Sequence, residues 1–306
     1  MNNKEKKLIS AVIYLYNNEE VIVSFIKKIA AELDTNFENF EIVIVNDSSS
    51  DNSVNKIKQD IELKQHKISI VQMSFHQGIE LSMNAGVDLT IGDFVYEFDD
   101  LFIDYDLTLI FESYKKLISG SDIVTVSPTK SNSFLSNSFY KIYNYFSING
   151  YQIGSDRFRI LSRRSINRAY SISKTIPYRK ALYANSGLKI NAINYDPKKY
   201  ESKTKNLFKN KMAINALIIY TNLAFKISIG ITLMLFLFTL GTVFYTIIVF
   251  FSDKKPIEGW TTLMIVLSAS FSGLFFLIAI VIKYLSLIVE LIYTKKVYLF
   301  ENVEPL

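Results

Sequence analysis

Apolar and polar residues alternate before residue 130 in a pattern that predicts strands and helices in turn. Short apolar runs bounded by polar residues predict strands at "LISAVIYLY", "FEIVIV", "KISIVQM", "DFVYEF" and "DIVTVS". Apolar residues at helical spacing predict intervening helices in "NEEVIVSFIKKIAAEL", "SVNKIKQDIELK", "GIELSMNAGVDLTI" and "LTLIFESYKKLI". Strands that alternate with helices favour an α/β domain whose mostly parallel sheet is covered on both faces.

Two long uncharged segments after residue 220 predict a pair of membrane spans. Residues 227–251 and 260–282 are each long enough to cross a bilayer, and a short charged loop joins them. Residues 227–282 therefore predict a transmembrane hairpin, with two buried core helices as the alternative. Residues 205–226 mix lysines with apolar residues at helical spacing, which predicts an amphipathic interfacial helix or, alternatively, a plain linker helix.

The distribution of lysines predicts the side of the membrane on which each part lies. Both flanks of the hairpin are rich in lysine, whereas Lys254 and Lys255 in the connecting loop are offset by Asp253 and Glu258. Positive flanks favour the cytosolic side, so the domain 1–204 and the tail 283–306 are both expected in the cytosol. We expect a multi-pass protein of the inner (cytoplasmic) membrane.

The amino-acid composition excludes several kinds of structural and catalytic site. The chain has no cysteine, which excludes a disulfide framework, a thiolate zinc site and a cysteine nucleophile. His66 and His76 are the only histidines, too few for a His-rich metal site, and each is predicted as a surface or loop residue. The N-terminal segment lacks the pattern of a signal peptide. The net charge is +5 and no nucleic-acid partner is expected.

Polar clusters follow three of the predicted strands. They are "YNNEE", "NDSSSD" and "FDDLFIDYD", at residues 16–20, 46–51 and 98–106. Asp, Asn and Ser often do no more than make turns and cap helices. However, the carboxyl ends of parallel strands converge on the crevice where open α/β sheets bind ligands, so three clusters at one edge predict a site.

These segments together resemble a known family. "VIYLYNNEE", "VNDSSSDNS", "HQGIELSMNAGVDLTIGDFVYEFDD" and "DRFRILSRR", followed by a two-span hairpin, are similar to the family 2 glycosyltransferases. The resemblance is closest to the polyprenyl-phosphate branch, which includes dolichol-phosphate mannose synthases and bactoprenol glucosyltransferases. It covers almost the whole chain. It implies a nucleotide-sugar-binding domain of GT-A type and a homo-oligomer.

The resemblance implies donor-binding roles at the first two clusters. Asp47 would meet the uracil or ribose of the donor, and Asp51 would close the turn. Tyr16 would line the base pocket, although sheet-edge packing is the alternative for a strand-end aromatic residue. Asn18 and Asp100 are also assigned to the donor side. The chain departs from the family at Tyr14, Asn18, Asn46, Ser48 and Asn52.

The third cluster aligns with the family's Asp-x-Asp metal motif. The aligned residues are Asp99, Asp100 and Leu101, so the second metal-binding aspartate is lost. The resemblance implies Mg²⁺ or Mn²⁺ at Asp99, aided by Asp100 or Asp104, with the donor diphosphate and water as further ligands. A lost or weakened metal site is the alternative, because leucine does not ligate a hard cation.

A basic stretch, "GSDRFRILSRR", implies an acceptor-phosphate site. The resemblance assigns Arg159 to this role, with Asp156 near the family's acid, and Lys203 matches a family lysine. Arg157 and Arg163 are candidates for the same site, since guanidinium groups bind phosphate bidentately. The alternative is a solvated basic face or attraction to anionic lipid headgroups.

The expected activity is inverting transfer of a sugar from a nucleotide-sugar, expected to be a uridine diphosphate sugar, to a polyprenyl phosphate at the cytosolic face. Asp99 would hold the metal that neutralises the leaving diphosphate, while Arg159 and Lys203 would steer the acceptor phosphate. One alternative is an enzyme that glycosylates a glycan or protein hydroxyl, with Asp156 as general base. The other is a catalytically degenerate member that serves as a binding or assembly subunit.

Overall fold

The computed structural model describes residues 4–129, 134–146, 152–172, 178–198 and 300–305, with scattered helical residues between 226 and 288. The chain divides into two compact units; the first comprises Met1–Tyr145, Asn149–Ala216 and Lys295–Leu306, and the second Phe146–Ile148 and Leu217–Thr294. Lys203 and the predicted interfacial helix, except Lys226, lie outside the described residues, as does most of the predicted hairpin. Among the residues that are described, no helix has both the length and the apolar character needed to span a bilayer.

The first unit is built on one eight-stranded sheet in the order β7-β5-β6-β4-β1-β2-β3-β8. Its strands are β1 (Glu5–Leu15), β2 (Phe37–Asn46), β3 (Ile68–Met73), β4 (Phe94–Phe98), β5 (Ile123–Pro128), β6 (Phe158–Ser162), β7 (Ile190–Tyr195) and β8 (Phe300–Pro305). The α-helices described with it are α1 (Ile22–Asn36), α2 (Ser53–Gln59), α3 (Ile79–Asp88), α4 (Thr108–Ile118), α5 (Phe134–Phe146), α6 (Arg163–Ile172) and α7 (Arg179–Asn185). The predicted α/β fold with a mostly parallel sheet is confirmed.

Helices cover both faces of the central strands, which explains why those strands are apolar without alternation. Ile9, Ala11 and Ile13 of β1 belong to the same buried cluster as the apolar stripe of α1. On the other face, α3 approaches so closely that a Cβ on Gly86 would lie 2.5 Å from both Val12 and Val45. Strands buried on both faces are expected to be apolar throughout.

The pairing directions decide which side chains can meet. Strands β1, β2, β3 and β4 are parallel, so their carboxyl ends lie at one edge of the sheet. We call this the carboxyl edge. Strand β6 runs antiparallel to β4, with Phe98 opposite Phe158 and Phe94 opposite Ser162. The start of β6 therefore lies at the carboxyl edge and its end at the opposite edge.

The chain's last described segment completes the sheet. Strand β8 pairs antiparallel with β3, with Val71 opposite Val303. The tail 283–306 thus contains a strand that the sequence pattern did not predict. It belongs to the same compact unit as the N-terminal domain.

Gly92 gives a test of the close packing before β4. A Cβ at this position would lie 2.7 Å from the backbone nitrogen of Ser10 and 2.6 Å from its Oγ. Because the strand backbone has no room to shift, we expect Gly92→Ala to lower the free energy of unfolding by about 1–3 kcal/mol. Chemical unfolding followed by circular dichroism measures this change. Gly154→Ala is the control, since no atom lies within 4 Å of its Cβ; equal stability of the two variants would contradict the packing argument.

Candidate functional site

Seven charged side chains converge beneath the carboxyl edge, around the end of β4. Alternation along the strand directs Glu97 and Asp99 to the same face, because residues two apart share a face. Strand β6 supplies Arg159, and the segment just before β6 supplies Asp156. The other three members come from the starts of α3 and α7. We call these residues the charge cluster: Glu80, Glu97, Asp99, Asp156, Arg159, Arg179 and Lys180.

Glu97 lies at the centre of the charge cluster and is fully buried. Its Oε2 accepts hydrogen bonds from Nη1 of Arg159 and Nη1 of Arg179, both at 2.7 Å. Its Oε1 accepts a hydrogen bond from the Tyr183 hydroxyl at 2.8 Å. One carboxylate therefore bridges two buried guanidinium groups.

Asp99 is held by the same two arginines. Its Oδ1 accepts a hydrogen bond of 2.6 Å from Nη2 of Arg179, and its Oδ2 accepts one from Nη2 of Arg159. Burial by itself would raise the pKa of Asp99, but the charges of Arg159 and Arg179 lower that pKa below its ordinary value. Asp99 is therefore ionised at neutral pH.

The remaining acids fix the two arginines from the outside. Nε of Arg159 donates to Asp156 at 2.8 Å, and Lys180 forms an ion pair with the same carboxylate. Nε of Arg179 donates to Glu80 at 2.9 Å. Burial would raise the pKa of Asp156, yet Arg159 and Lys180 lower it. The predicted acceptor-binding residue Arg159 is thus buried, and all three guanidinium nitrogens are occupied by carboxylates.

A second ion pair lies beside the charge cluster. Arg157 donates to Asp104 from Nε at 3.1 Å and from Nη2 at 2.7 Å, and its Nη1 lies 3.4 Å from Asp100. The Tyr195 hydroxyl also donates to Asp104. The side chain of Arg157 is 23% exposed and that of Asp100 46% exposed. This pair reaches the surface, and in the charge cluster the side chains of Asp99 and Lys180 are also partly exposed.

The residues at the predicted metal motif do not fit a divalent cation in this arrangement. Each Asp99 oxygen is bound by a guanidinium group, and Leu101 offers no ligand atom. Within the described part of the chain, no group of three or more His, Asp or Glu side chains is arranged to hold a metal ion. The prediction that Asp99 anchors Mg²⁺ or Mn²⁺ therefore conflicts with the arginines that occupy its carboxylate.

Arg163 does not lie with Arg157 and Arg159, which corrects the prediction of one shared phosphate site. Its Nη2 donates to the carbonyl oxygen of Gly92 at 2.7 Å and to that of Thr90 at 3.0 Å, before the start of β4. The physical reason is the antiparallel direction of β6. Five residues at about 3.3 Å each separate the two ends of such a strand.

Asp47 is buried, and its carboxylate accepts hydrogen bonds from other parts of the protein. It accepts hydrogen bonds from the Tyr14 hydroxyl at 2.9 Å and from the backbone nitrogens of Gln77 and Gly78 at 2.7 and 2.9 Å. Nδ1 of His76 lies 2.9 Å from its Oδ2. Asp47 thus ties the end of β2 to the loop after β3, which is the structural role that a turn residue would have.

The other predicted donor residues lie around the same turn. Asp51 accepts hydrogen bonds from the backbone nitrogens of Glu19 and Ser53, so it closes the turn, and its donor-binding role stays a prediction. The Asn18 amide donates to the carbonyl oxygen of Tyr16 at 2.8 Å. Ser48 has a φ of 59°, a left-handed conformation that serine rarely adopts and that often marks a functional turn.

Four members of the charge cluster are not predicted from the sequence pattern: Glu80, Glu97, Arg179 and Lys180. Glu97 carried the clearest signal, because a carboxylate within a short apolar strand requires a buried partner. His76 was expected as a loop residue; it is one, but its ring also stacks on Tyr16 with centroids 4.1 Å apart.

Removal of the central charge tests the charge cluster. Glu97→Gln would remove the buried charge that both guanidinium groups share, so we expect the free energy of unfolding to fall by about 3 kcal/mol or more. Glu62→Gln is the control, because Glu62 is 72% exposed in its pair with Lys27 and exposed pairs contribute about 1 kcal/mol or less. Denaturant unfolding of both variants measures the difference. Equal losses would contradict a central role for Glu97.

Comparison with known proteins identifies the family that this chain matches. The model of glycosyl transferase family 2 matches residues 10–175. The uncharacterized glycosyltransferase YkcC of Bacillus subtilis is 26% identical over 287 residues, covering 88% of this chain and 85% of its own length. The uncharacterized glycosyltransferase sll0501 of Synechocystis is 24% identical over 309 residues, covering 96% and 95%.

A solved structure and a further relative are also similar. The mannosyltransferase PcManGT of Pyrobaculum calidifontis, in complex with GDP-Man and Mn²⁺, has a TM-score of 0.52 and 14% identity, covering 70% of this chain and 63% of its own. That likeness supports a shared GT-A-like fold alone. The undecaprenyl-phosphate 4-deoxy-4-formamido-L-arabinose transferase of Aeromonas hydrophila is 27% identical over 149 residues, covering 47% and 44%. Because the family model spans more than half of the chain, this protein belongs to glycosyl transferase family 2.

Proposed function

We propose that this family 2 glycosyltransferase transfers a sugar from a nucleotide-sugar, with inversion, to a polyprenyl phosphate at the cytosolic face of the membrane. A uridine diphosphate sugar is the proposed donor. The proposal rests on family membership and on the carboxyl edge, where the Asp47 turn follows β2 and the charge cluster surrounds the end of β4, the two parallel strands on either side of β1. Such an edge is where α/β sheets bind nucleotides.

The state of Asp156 favours a phosphate acceptor over a hydroxyl acceptor. A hydroxyl group needs a general base with a pKa near neutrality. Asp156 was the candidate base, but ion pairs with Arg159 and Lys180 lower its pKa despite its burial. A phosphate monoester is already largely ionised near neutral pH and needs no base. It attacks the anomeric carbon in line, and the bond from that carbon to the donor diphosphate breaks with its electron pair on the leaving group.

The acceptor class draws support from relatives. Undecaprenyl-phosphate transferases from several bacteria match part of this chain. The match to the Aeromonas hydrophila protein covers 47% of this chain. Arg157 is a partly exposed cation at this edge and a candidate for the acceptor phosphate, although it is already paired with Asp104 and Asp100. Lys203, outside those residues, keeps its proposed role.

We also propose attachment to the membrane through the second compact unit. Its described residues are helical, and several large apolar side chains among them are exposed, including Met234, Leu237, Leu263 and Leu274. The chain leaves the first unit after Ala216 and rejoins it at Lys295, so a membrane-crossing segment between them would cross an even number of times. Two spans satisfy this condition, and a polyprenyl acceptor would remain in the same bilayer. A homo-oligomer stays a prediction from the resemblance.

The proposed mechanism has no step through Mg²⁺ or Mn²⁺, because guanidinium groups occupy both oxygens of Asp99. Here the chain departs from the metal-bound mannosyltransferase that shares its fold. The cluster keeps Asp99 and its arginines in fixed positions, so the site needs no rearrangement of charge during transfer.

Transfer of labelled sugar tests the proposed activity. Membranes that contain the protein, supplied with a polyprenyl phosphate and one of several radiolabelled nucleotide-sugars, should form a chloroform-extractable sugar lipid with a uridine diphosphate donor. Tyr195→Phe removes a hydroxyl that holds Asp104 beside Arg157 and should lower the rate about tenfold, because one hydrogen bond in this pair is lost. Label in protein or glycan, and none in lipid, would favour the hydroxyl-acceptor enzyme. Neither transfer nor donor binding would favour a binding subunit.

Reporter fusions test the proposed topology. A reporter fused after Leu306 should be cytosolic, and one inserted at Lys254 should be external, because lysines flank the hairpin on the cytosolic side. Activity of cytosol-specific and periplasm-specific reporters in intact cells distinguishes the positions. The reverse pair of results would rule out a cytosolic donor.

Chelation tests whether donor binding needs a metal ion. Calorimetric affinity for UDP should agree within about twofold in EDTA and in Mn²⁺, since the charge partners of Asp99 are protein side chains. Asp99→Asn serves as the comparison variant and should not create metal dependence. UDP binding that requires Mn²⁺ and disappears in Asp99→Asn would restore the metal role of Asp99.

A further inference from the structure

A partly open cavity lies between β5 and α7, next to the charge cluster. Its void is about 340 Å³, including space that is open to solvent, and small-molecule sites fall at about 300–1,000 Å³. Asp156, Arg159 and Lys180 of the charge cluster line it, together with residues of β5 and β7. The cavity therefore shares a wall with the groups that hold Asp99, and the proposed mechanism gives it no role.

Strand β5 supplies two hydroxyl groups to the cavity. Thr125 and Ser127 both line it, and because they lie two positions apart they share one face of the strand, with Cα atoms about 6–7 Å apart. Both are partly exposed, whereas Val124 and Val126 on the other face are buried in the core. Each hydroxyl donates one hydrogen bond and accepts others. This face of β5 thus offers two groups that can pair with the hydroxyls of a ligand.

The charged wall of the cavity consists of groups that are already paired. Oδ2 of Asp156 accepts a hydrogen bond of 2.8 Å from Nε of Arg159, and Oδ1 forms an ion pair with Lys180. A phosphate group would have to break the Asp156–Lys180 pair in order to bind this lysine. An uncharged hydroxyl can instead donate to a second lone pair of Asp156 without separating the charges. The wall therefore favours a neutral ligand that carries hydroxyl groups.

Three isoleucines form the apolar part of the lining: Ile123, Ile153 and Ile190. A pyranose ring has C–H groups on its faces and hydroxyl groups around its rim, so it needs an apolar surface together with a few well-placed polar groups. An isoprene chain would pack against the isoleucines but would leave the hydroxyl and charged groups of the cavity without partners. The lining as a whole matches a sugar better than a lipid chain.

We infer that this cavity holds the sugar of the nucleotide donor, a pyranose, and that Thr125 and Ser127 determine which sugar is accepted by pairing with its hydroxyl groups. This inference rests on the proposed function and deepens it. Arg159 connects the two sites, since it lines the cavity and also donates to Asp99 at the end of β4. A sugar in the cavity would therefore lie beside the carboxyl edge, where the donor is proposed to bind.

Calorimetry of the full-length protein in detergent tests the inference by comparing UDP with UDP-glucose, UDP-galactose and UDP-N-acetylglucosamine. UDP lacks the sugar, so its affinity reports on changes outside the cavity. Ser127→Leu fills the space beside β5 and should lower the affinity for the best-bound nucleotide-sugar by about tenfold or more, while UDP affinity stays within about twofold. Thr125→Val keeps the shape of the side chain but removes the hydroxyl, so it should lower the same affinity about three- to tenfold.

Thr35→Val is the matched control, because Thr35 is exposed on α1 and does not line the cavity; its affinities should equal those of the wild type. A melting curve checks that Ser127→Leu is folded, and Thr125→Val decides the question if it is not. Equal losses of UDP and nucleotide-sugar affinity in Thr125→Val, or no loss in either variant, would overturn the inference while the proposed function stands.

Two other outcomes separate the inference from the proposed function. Unchanged nucleotide-sugar binding with loss of transfer to a polyprenyl phosphate would assign the cavity to the acceptor, and binding of UDP without any of the three nucleotide-sugars would show that the cavity takes no hexose. Each of these results overturns the inference alone. If the wild type binds none of the four nucleotides, the inference and the proposed function both fail.

Discussion

The centre of this glycosyltransferase depends on two guanidinium groups that are buried between carboxylates. Arg159 and Arg179 each bridge Glu97 and Asp99, and each has a further acid on its outer side. Charges removed from water are stabilised only when nearly every donor and acceptor is matched. The cluster therefore fixes the relative positions of β4, β6, α3 and α7, since a shift of any one would leave a charge without its partner.

This requirement also shapes the chemistry of the site. The arginines keep Asp99 ionised and take the positions around its carboxylate that a metal ion would need. Asp156 is likewise ionised and paired, which leaves it unsuited to remove a proton. An acceptor that is already ionised needs no base, and this links the paired state of Asp156 to the proposed phosphate acceptor.

A single acid, Asp47, organises the part of the carboxyl edge at the ends of β1, β2 and β3. Asp47 joins β1, β2 and the loop after β3 through Tyr14, His76, Gln77 and Gly78. The structural interpretation of this residue is therefore the one that its contacts support. Its carboxylate holds together the turns at this edge, and a role in binding the donor stays a prediction.

The sequence by itself determined the α/β alternation, strands β1 to β5 and the polar clusters at the carboxyl edge, because hydrophobic periodicity and turn residues are local properties. It also carried the family's motifs and their departures, above all Leu101. Only the tertiary structure decided which charges meet. Arg179 reaches Glu97 from 82 residues away, Tyr16 after β1 meets His76 after β3 across the end of β2, and the antiparallel direction of β6 sends Arg163 to the far edge. Such pairings depend on strand order and direction, and no local pattern of residues encodes either one.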